Sequence, residues 1–137
     1  MWFDQVQLQD PKEIEQFEEA FRFLFPPAFR SYLMELNGAR GSQILIPTDL
    51  AQRPVTAILD FRKGCQVGSE SAWNMNRIMR QIRSEKRVVF GRSGRHLLCM
   101  ERNRRDRNIV LWNHITQKFE PVTVSVEEFI EQTKKGA

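Results

Sequence analysis

Phe25-Pro26-Pro27-Ala28-Phe29-Arg30-Ser31-Tyr32-Leu33-Met34-Glu35-Leu36-Asn37-Gly38 spells a short amphipathic helix with its own start and stop. Proline is tolerated in a helix only in the first turn, so Pro26 and Pro27 break the helical segment before them and open a new one. Phe29, Leu33 and Leu36 share one face with Tyr32 beside them, and Asn37-Gly38 suit the left-handed conformation on which helices close. Upstream, Asp10 is a good N-cap, Pro11 fits the first helical position and Glu13 completes a capping box. Ile14, Phe17, Phe21 and Leu24 then recur at helical spacing, with Glu15, Glu18 and Glu19 towards the other side. The two segments predict a helical hairpin with aromatic contacts.

Downstream the period changes. A short apolar strand is expected over 43–46, ended by Pro47, and a second over 55–61, where Val55, Ala57, Leu59 and Phe61 alternate with Thr56, Ile58 and Asp60. Gly64 and Gly68 punctuate a loop. A third helix over 71–84 buries Ala72, Met75, Ile78, Met79 and Ile82 and turns Arg77 and Arg80 to solvent. Its methionines read as core filler. Trp73 lies opposite that stripe, which favours an exposed or partner-facing role, with packing under a loop as the other reading. Val88-Val89-Phe90 makes a strand ended by Gly91, and Ser93-Gly94 marks a turn. Two more strands are expected over 96–100 and 109–112, joined by a polar loop over 103–108, and a last one over 119–124. Ser125-Val126-Glu127-Glu128 is a second capping box, opening a helix that buries Phe129 and Ile130. Short hairpin connections predict an α+β fold. It is a mainly antiparallel sheet covered by an N-terminal helical hairpin, a middle helix and a short C-terminal helix.

Composition bounds the class. At 137 residues the chain reads as one domain, 1–137, long enough to bury a core without metals or disulfides. Hydrophobic content of 41% and charged content of 28% are those of a soluble globular protein. Cys65 and Cys99 form no C-x-x-C pair and read as reduced thiols in a cytoplasmic protein. The start lacks the basic and long apolar stretches of a secretion signal, and no apolar segment is long enough to span a bilayer.

The net charge of +4 hides an asymmetry. Residues 1–20 carry Asp4, Asp10, Glu13, Glu15, Glu18 and Glu19 against Lys12 alone. Residues 77–107 carry Arg77, Arg80, Arg83, Lys86, Arg87, Arg92, Arg95, Arg102, Arg104, Arg105 and Arg107 against Glu85, Glu101 and Asp106. Such a stretch attracts an acidic partner, protein or nucleic acid. A solvated arginine-covered face is the alternative reading.

The order of these pieces resembles the SUKH superfamily, which includes the Smi/Knr-type proteins. Phe17, Leu24, Pro26, Phe29, Tyr32, Leu33, Asn37 and Gly38 sit where that family's opening pattern places them. Phe90, Gly91, Gly94, Leu97, Leu98 and Cys99 resemble its strand, glycine turn and strand. Trp112-Asn113-His114 and then Ser125, Phe129 and Ile130 resemble its close. The resemblance covers about 12–132. One departure is the turn Arg92-Ser93-Gly94-Arg95, which in the family is usually acidic and glycine-rich.

The resemblance implies binding without catalysis. Many bacterial members look like immunity proteins, made beside a toxin, often a nuclease, and neutralising it by direct binding; fungal members are regulatory interaction proteins. An immunity protein would act by steric or electrostatic occlusion of its cognate toxin. The acidic helix, with Glu15, Glu18 and Glu19, suits a basic nuclease surface. The arginine-rich stretch, with Arg92, Arg95, Arg102, Arg104, Arg105 and Arg107, suits an acidic toxin. Trp and Arg dominate interface hot spots, which adds Trp2 and Trp73 as candidates.

An enzyme is rejected on the residues themselves. His96 and Cys99 are close in sequence, but on a strand their odd separation sends the side chains to opposite faces. Cys99 reads as a small core residue and His114 as a structural or surface histidine. The scattered histidines and cysteines have no zinc-ligand spacing, and no phosphate loop or dinucleotide fingerprint occurs. No cofactor or metal is therefore expected. Nucleic-acid binding is the stronger rival, since clustered arginines bind phosphate without regard to sequence. Against it, no aromatic residue is interleaved with the loop arginines to stack bases.

Overall fold

The chain runs through α1 (Lys12–Phe21), α2 (Pro27–Glu35), β1 (Arg40–Pro47), β2 (Gln52–Ile58), α3 (Ala72–Ile78), β3 (Arg87–Ser93), β4 (His96–Arg102), β5 (Arg107–Asn113), β6 (Lys118–Pro121) and α4 (Val126–Lys135). The structure is a computed structural model and describes residues 2–65, 68–82, 84, 86–102 and 107–135. Each strand pairs antiparallel with the next, giving one six-stranded sheet in sequence order, flanked by helices. The expected α+β class is the observed one.

Local chemistry sets the ends of α1. The Asp10 carboxylate accepts from the Lys12 N–H at 2.9 Å, so Pro11 stands just before the helix. Glu13 does not close a capping box. Its carboxylate accepts from the Lys63 N–H at 3.0 Å and ties the helix to the loop after β2. The helix stops at Arg22, which is left-handed with φ 54°, ahead of the prolines. Leu24 consequently falls outside the apolar stripe and is 58% exposed.

Pro27 opens α2 as expected, and Phe29, Tyr32, Leu33 and Leu36 are all buried. Rings link the helices to the loop after β2 and to the sheet. Phe17 of α1 meets Phe61 edge-on at 4.8 Å, while Phe29 of α2 and Phe129 of α4 meet Phe90 of β3 at 4.9 and 5.8 Å. Burying such a side chain contributes about 2 kcal/mol each, and edge-on pairing adds to it. The Tyr32 hydroxyl bonds Thr133 Oγ1 at 2.7 Å, holding α2 to α4.

Gly91 does not end β3. The strand runs on to Ser93, with a register shift between Val89 and Gly91. A Cβ at Gly91 would stand 2.8 Å from the Ala57 carbonyl oxygen, so the missing side chain is what lets β2 and β3 pair there. α3 is shorter than its apolar spacing suggests. Ser71 caps it by accepting from Asn74 N–H, it ends after Ile78, and Ile78 is exposed while Ile82 is buried beyond the helix. Asn76 fixes α3 to the sheet: its side-chain amide donates to Val89 O at 2.9 Å and accepts from Val89 N–H at 2.8 Å. At the other end of the chain, the predicted capping box opens α4. Ser125 Oγ accepts from Glu128 N–H at 3.1 Å and Glu128 accepts from Ser125 N–H at 3.4 Å.

The sheet also bends back on itself. Thr48, after β1, bridges Val122, after β6, and Asp49 N–H donates to Pro121 O and Thr123 N–H to Pro47 O, both at 3.1 Å. The outermost strands of the sheet thus meet at one corner.

Candidate partner-binding surface

The residues expected to meet a partner fall into three groups. Glu15 and Glu19 are exposed on α1. Glu18 is not, being 4% exposed. Its carboxylate accepts from the Phe25 N–H at 2.7 Å and pairs with Arg30 at 2.9 Å, so it anchors the α1–α2 connection from inside. At four residues beyond Ile14, Glu18 lies on the flank of the apolar stripe, which a simple two-face reading of the helix overlooks.

Trp73 takes the second of its two expected placements, packed under a loop and not exposed. It is buried against Phe17, with ring centroids 5.8 Å apart, and its indole N–H donates to the Phe61 carbonyl at 3.1 Å. In a helix this short, the side opposite Met75 faces the loop and α1, not water. Trp2 is buried too, with its indole N–H on the Thr133 carbonyl at 3.0 Å.

The arginines divide between opposite ends of the sheet. Arg92 and Arg95 lie at the β3–β4 turn, Arg92 half-buried with Nη1 on Ser69 Oγ at 3.1 Å and Arg95 exposed. Arg102 ends β4 and Arg107 begins β5 at the far end of the sheet, directly opposite each other. Consecutive turns of an antiparallel meander alternate ends, and the seven residues of β4 span about 20 Å, so the arginine-rich stretch does not form one surface. Arg104 and Arg105 lie outside the described residues. Beside Arg102 runs Lys86, whose carbonyl accepts the Arg102 N–H at 2.6 Å. Arg107 Nε donates to the Leu24 carbonyl at 3.1 Å, with its guanidinium 5.9 Å from the Phe23 ring.

Two further polar constellations have no counterpart in the sequence patterns. A cleft of about 310 Å³ is lined by residues that include Asp4, Arg40, Asp60, Arg62, Cys65 and Glu70. Arg40 pairs with both Asp4 and Glu70 at 2.8 Å, and Arg62 with Asp60 at 2.7 Å. Burial works to raise the Asp60 carboxyl, but bonds from Arg62 and Asn37 outweigh it and hold the group below the usual carboxylate range. Burial, and then Asp60, push the Cys65 thiol up. The second lies at the β3–β4 end of the sheet, where His96 and His114 face each other with Nδ1 atoms 2.9 Å apart. His96 Nδ1 also accepts from the His114 backbone N–H at 3.2 Å. Burial, then His114 and Arg53, lower His96. Cys99 is fully buried, which drives its thiol far above its ordinary value and away from nucleophilic chemistry. Among the described residues no group of three or more His, Cys, Asp or Glu is placed to hold a metal ion.

Residues 10–132 match the model of the SMI1 / KNR4 family (SUKH-1). The chain belongs to this family. The match begins at Asp10, two residues before α1, and ends inside α4, so the SMI1 / KNR4 region takes in both helices of the N-terminal pair and the whole sheet. No curated protein matches the chain. Among the described residues of this SMI1 / KNR4 domain, no helix is long and apolar enough to cross a membrane.

Proposed function

We propose that this protein is a non-catalytic binding domain that neutralises a cognate protein toxin by covering the toxin's working surface. The observation that carries the proposal is membership of the SMI1 / KNR4 family (SUKH-1) across residues 10–132, a family of immunity-type domains. The side chains that a catalytic reading would have needed are otherwise engaged. Cys99 is sealed in the core and His96 is bonded to His114. The molecule meets its partner with charge. Exposed acidic positions on α1 and a cationic end of the sheet are surfaces that can steer an encounter, and such complementarity sets association rate and partner choice.

The test is genetic and then physical. The open reading frame beside this gene is expressed in cells with and without the protein, and growth is scored. Restored growth together with a stoichiometric complex on size-exclusion chromatography is the expected result. A toxic neighbour that this protein neither rescues nor binds would overturn the proposal.

A further inference from the structure

Lys86, Arg102 and Arg107 stand in a row across the same end of three adjacent strands. Arg102 is registered opposite Arg107, and the Arg102 N–H bonds the Lys86 carbonyl. Neighbours at such positions lie about 5 Å apart, and like charges directly opposite destabilise a sheet. The next rung inward shows the ordinary solution, since Arg87 is opposite Glu101 and pairs with it at 2.9 Å. Arg30, Arg40, Arg53 and Arg62 likewise all have carboxylate partners. Among the described residues, no carboxylate lies within ion-pair distance of Lys86, Arg102 or Arg107.

We propose that this row is the docking site for an acidic segment of a partner protein, whose carboxylates supply a counter-charge that the described residues do not. The inference rests on the binding-domain reading above and adds the chemistry of the partner. Two features favour a protein over a nucleic-acid backbone. Leu24, 58% exposed, is held next to the row by the Arg107 bond to its carbonyl, giving an apolar contact of the kind that protein interfaces use. The Phe23 ring, 5.9 Å from the Arg107 guanidinium, is 1% exposed and offers no face on which a base could stack. The Arg107 guanidinium is fixed in advance by that same bond, which lowers the ordering cost of recognition.

The test uses the whole chain and two fluorescein-labelled probes of equal charge: a glutamate-rich peptide with a central leucine, and an oligothymidine. Anisotropy is read at low salt. Lys86→Gln with Arg102→Gln is expected to weaken peptide binding at least tenfold. A control with the same charge change at other surface sites, Arg80→Gln with Arg95→Gln, should change it less than twofold. Leu24→Ser should weaken the peptide and leave oligothymidine unaffected. Circular dichroism checks that each variant is folded. Absent peptide binding, equal losses in the two double variants, or tighter binding of oligothymidine would each overturn the proposal, the last by assigning the row to phosphate. The growth-rescue assay reads neutralisation separately, so failure here leaves that result intact.

Discussion

Arg53 and Glu120 meet in a two-point ion pair, Nε to Oε1 at 3.1 Å and Nη2 to Oε2 at 2.7 Å, across the corner where the sheet's outer strands come together. Glu120 is 1% exposed and also accepts from Thr48 Oγ1 at 3.0 Å and Asn113 Nδ2 at 2.9 Å. Removing this carboxylate strands a half-buried guanidinium together with the buried Asn113 amide, while Thr48 Oγ1 keeps the Ala51 carbonyl at 2.9 Å. Glu120→Ala should therefore cost about 3 kcal/mol in urea denaturation, and Glu120→Gln, which keeps an acceptor, clearly less. A loss under half a kcal/mol for the alanine variant would show that the corner does not depend on this group.

Acid should find the same group. Burial acts to raise the Glu120 carboxyl, but bonds from Arg53, Asn113 and Thr48 outweigh it and leave it below its ordinary value, as Asp60 is left by Arg62 and Asn37. A depressed carboxyl contributes stability that is complete above its unfolded pKa, about 4, and is lost as pH falls through the lower folded value. Unfolding free energy should fall below about pH 4 on account of these two groups, and Asp60→Asn with Glu120→Gln should flatten that fall.

Glu18 and its neighbours on α1 should behave differently. Glu15→Ala with Glu19→Ala removes exposed charge and should change stability by less than about 0.5 kcal/mol. Glu18→Ala orphans the buried Phe25 N–H and unpairs Arg30, so a loss of roughly 3 kcal/mol is expected. Thermal melts of the two variants decide the matter, and equal shifts would contradict the assignment of Glu18 to the interior.

Gly91→Ala would place a methyl 2.8 Å from the Ala57 carbonyl oxygen, a backbone atom that has no rotamer to escape into. The two strands must move apart, and a loss of about 2 kcal/mol is expected from such overpacking. Weakened hydrogen-exchange protection at Leu59, whose N–H donates to the Phe90 carbonyl at 2.9 Å beside that contact, would confirm the cause.

Periodicity and punctuation made the order of helices and strands legible, because each depends on neighbours in sequence. Pro27 and Ser125 start their helices where local chemistry says they should. The features that stayed hidden depend on partners far away. Asn37 reads as a helix stop, yet its buried amide also accepts from the Phe61 N–H at 2.7 Å and donates to Asp60 at 3.0 Å. Glu18 and Trp73 read as surface groups because helical spacing alone puts them off the apolar stripe, whereas a second layer of rings and loop backbone covers that flank. The charge row was half visible. Arg102 and Arg107 stood out as a cluster, but only strand register adds Lys86 and sends Arg95 to the opposite end.

The meeting of Thr48 with Val122 bears on how the protein behaves in company. β1 is tied down at both ends, by Phe3 at Arg40 and by Thr123 and Asp49 near Pro47. Open rims of sheets recruit strands from other molecules, and covering them is how natural proteins avoid aggregating. Tying β1 at both ends leaves less free backbone for a foreign strand to join, so recognition is expected to fall to side chains.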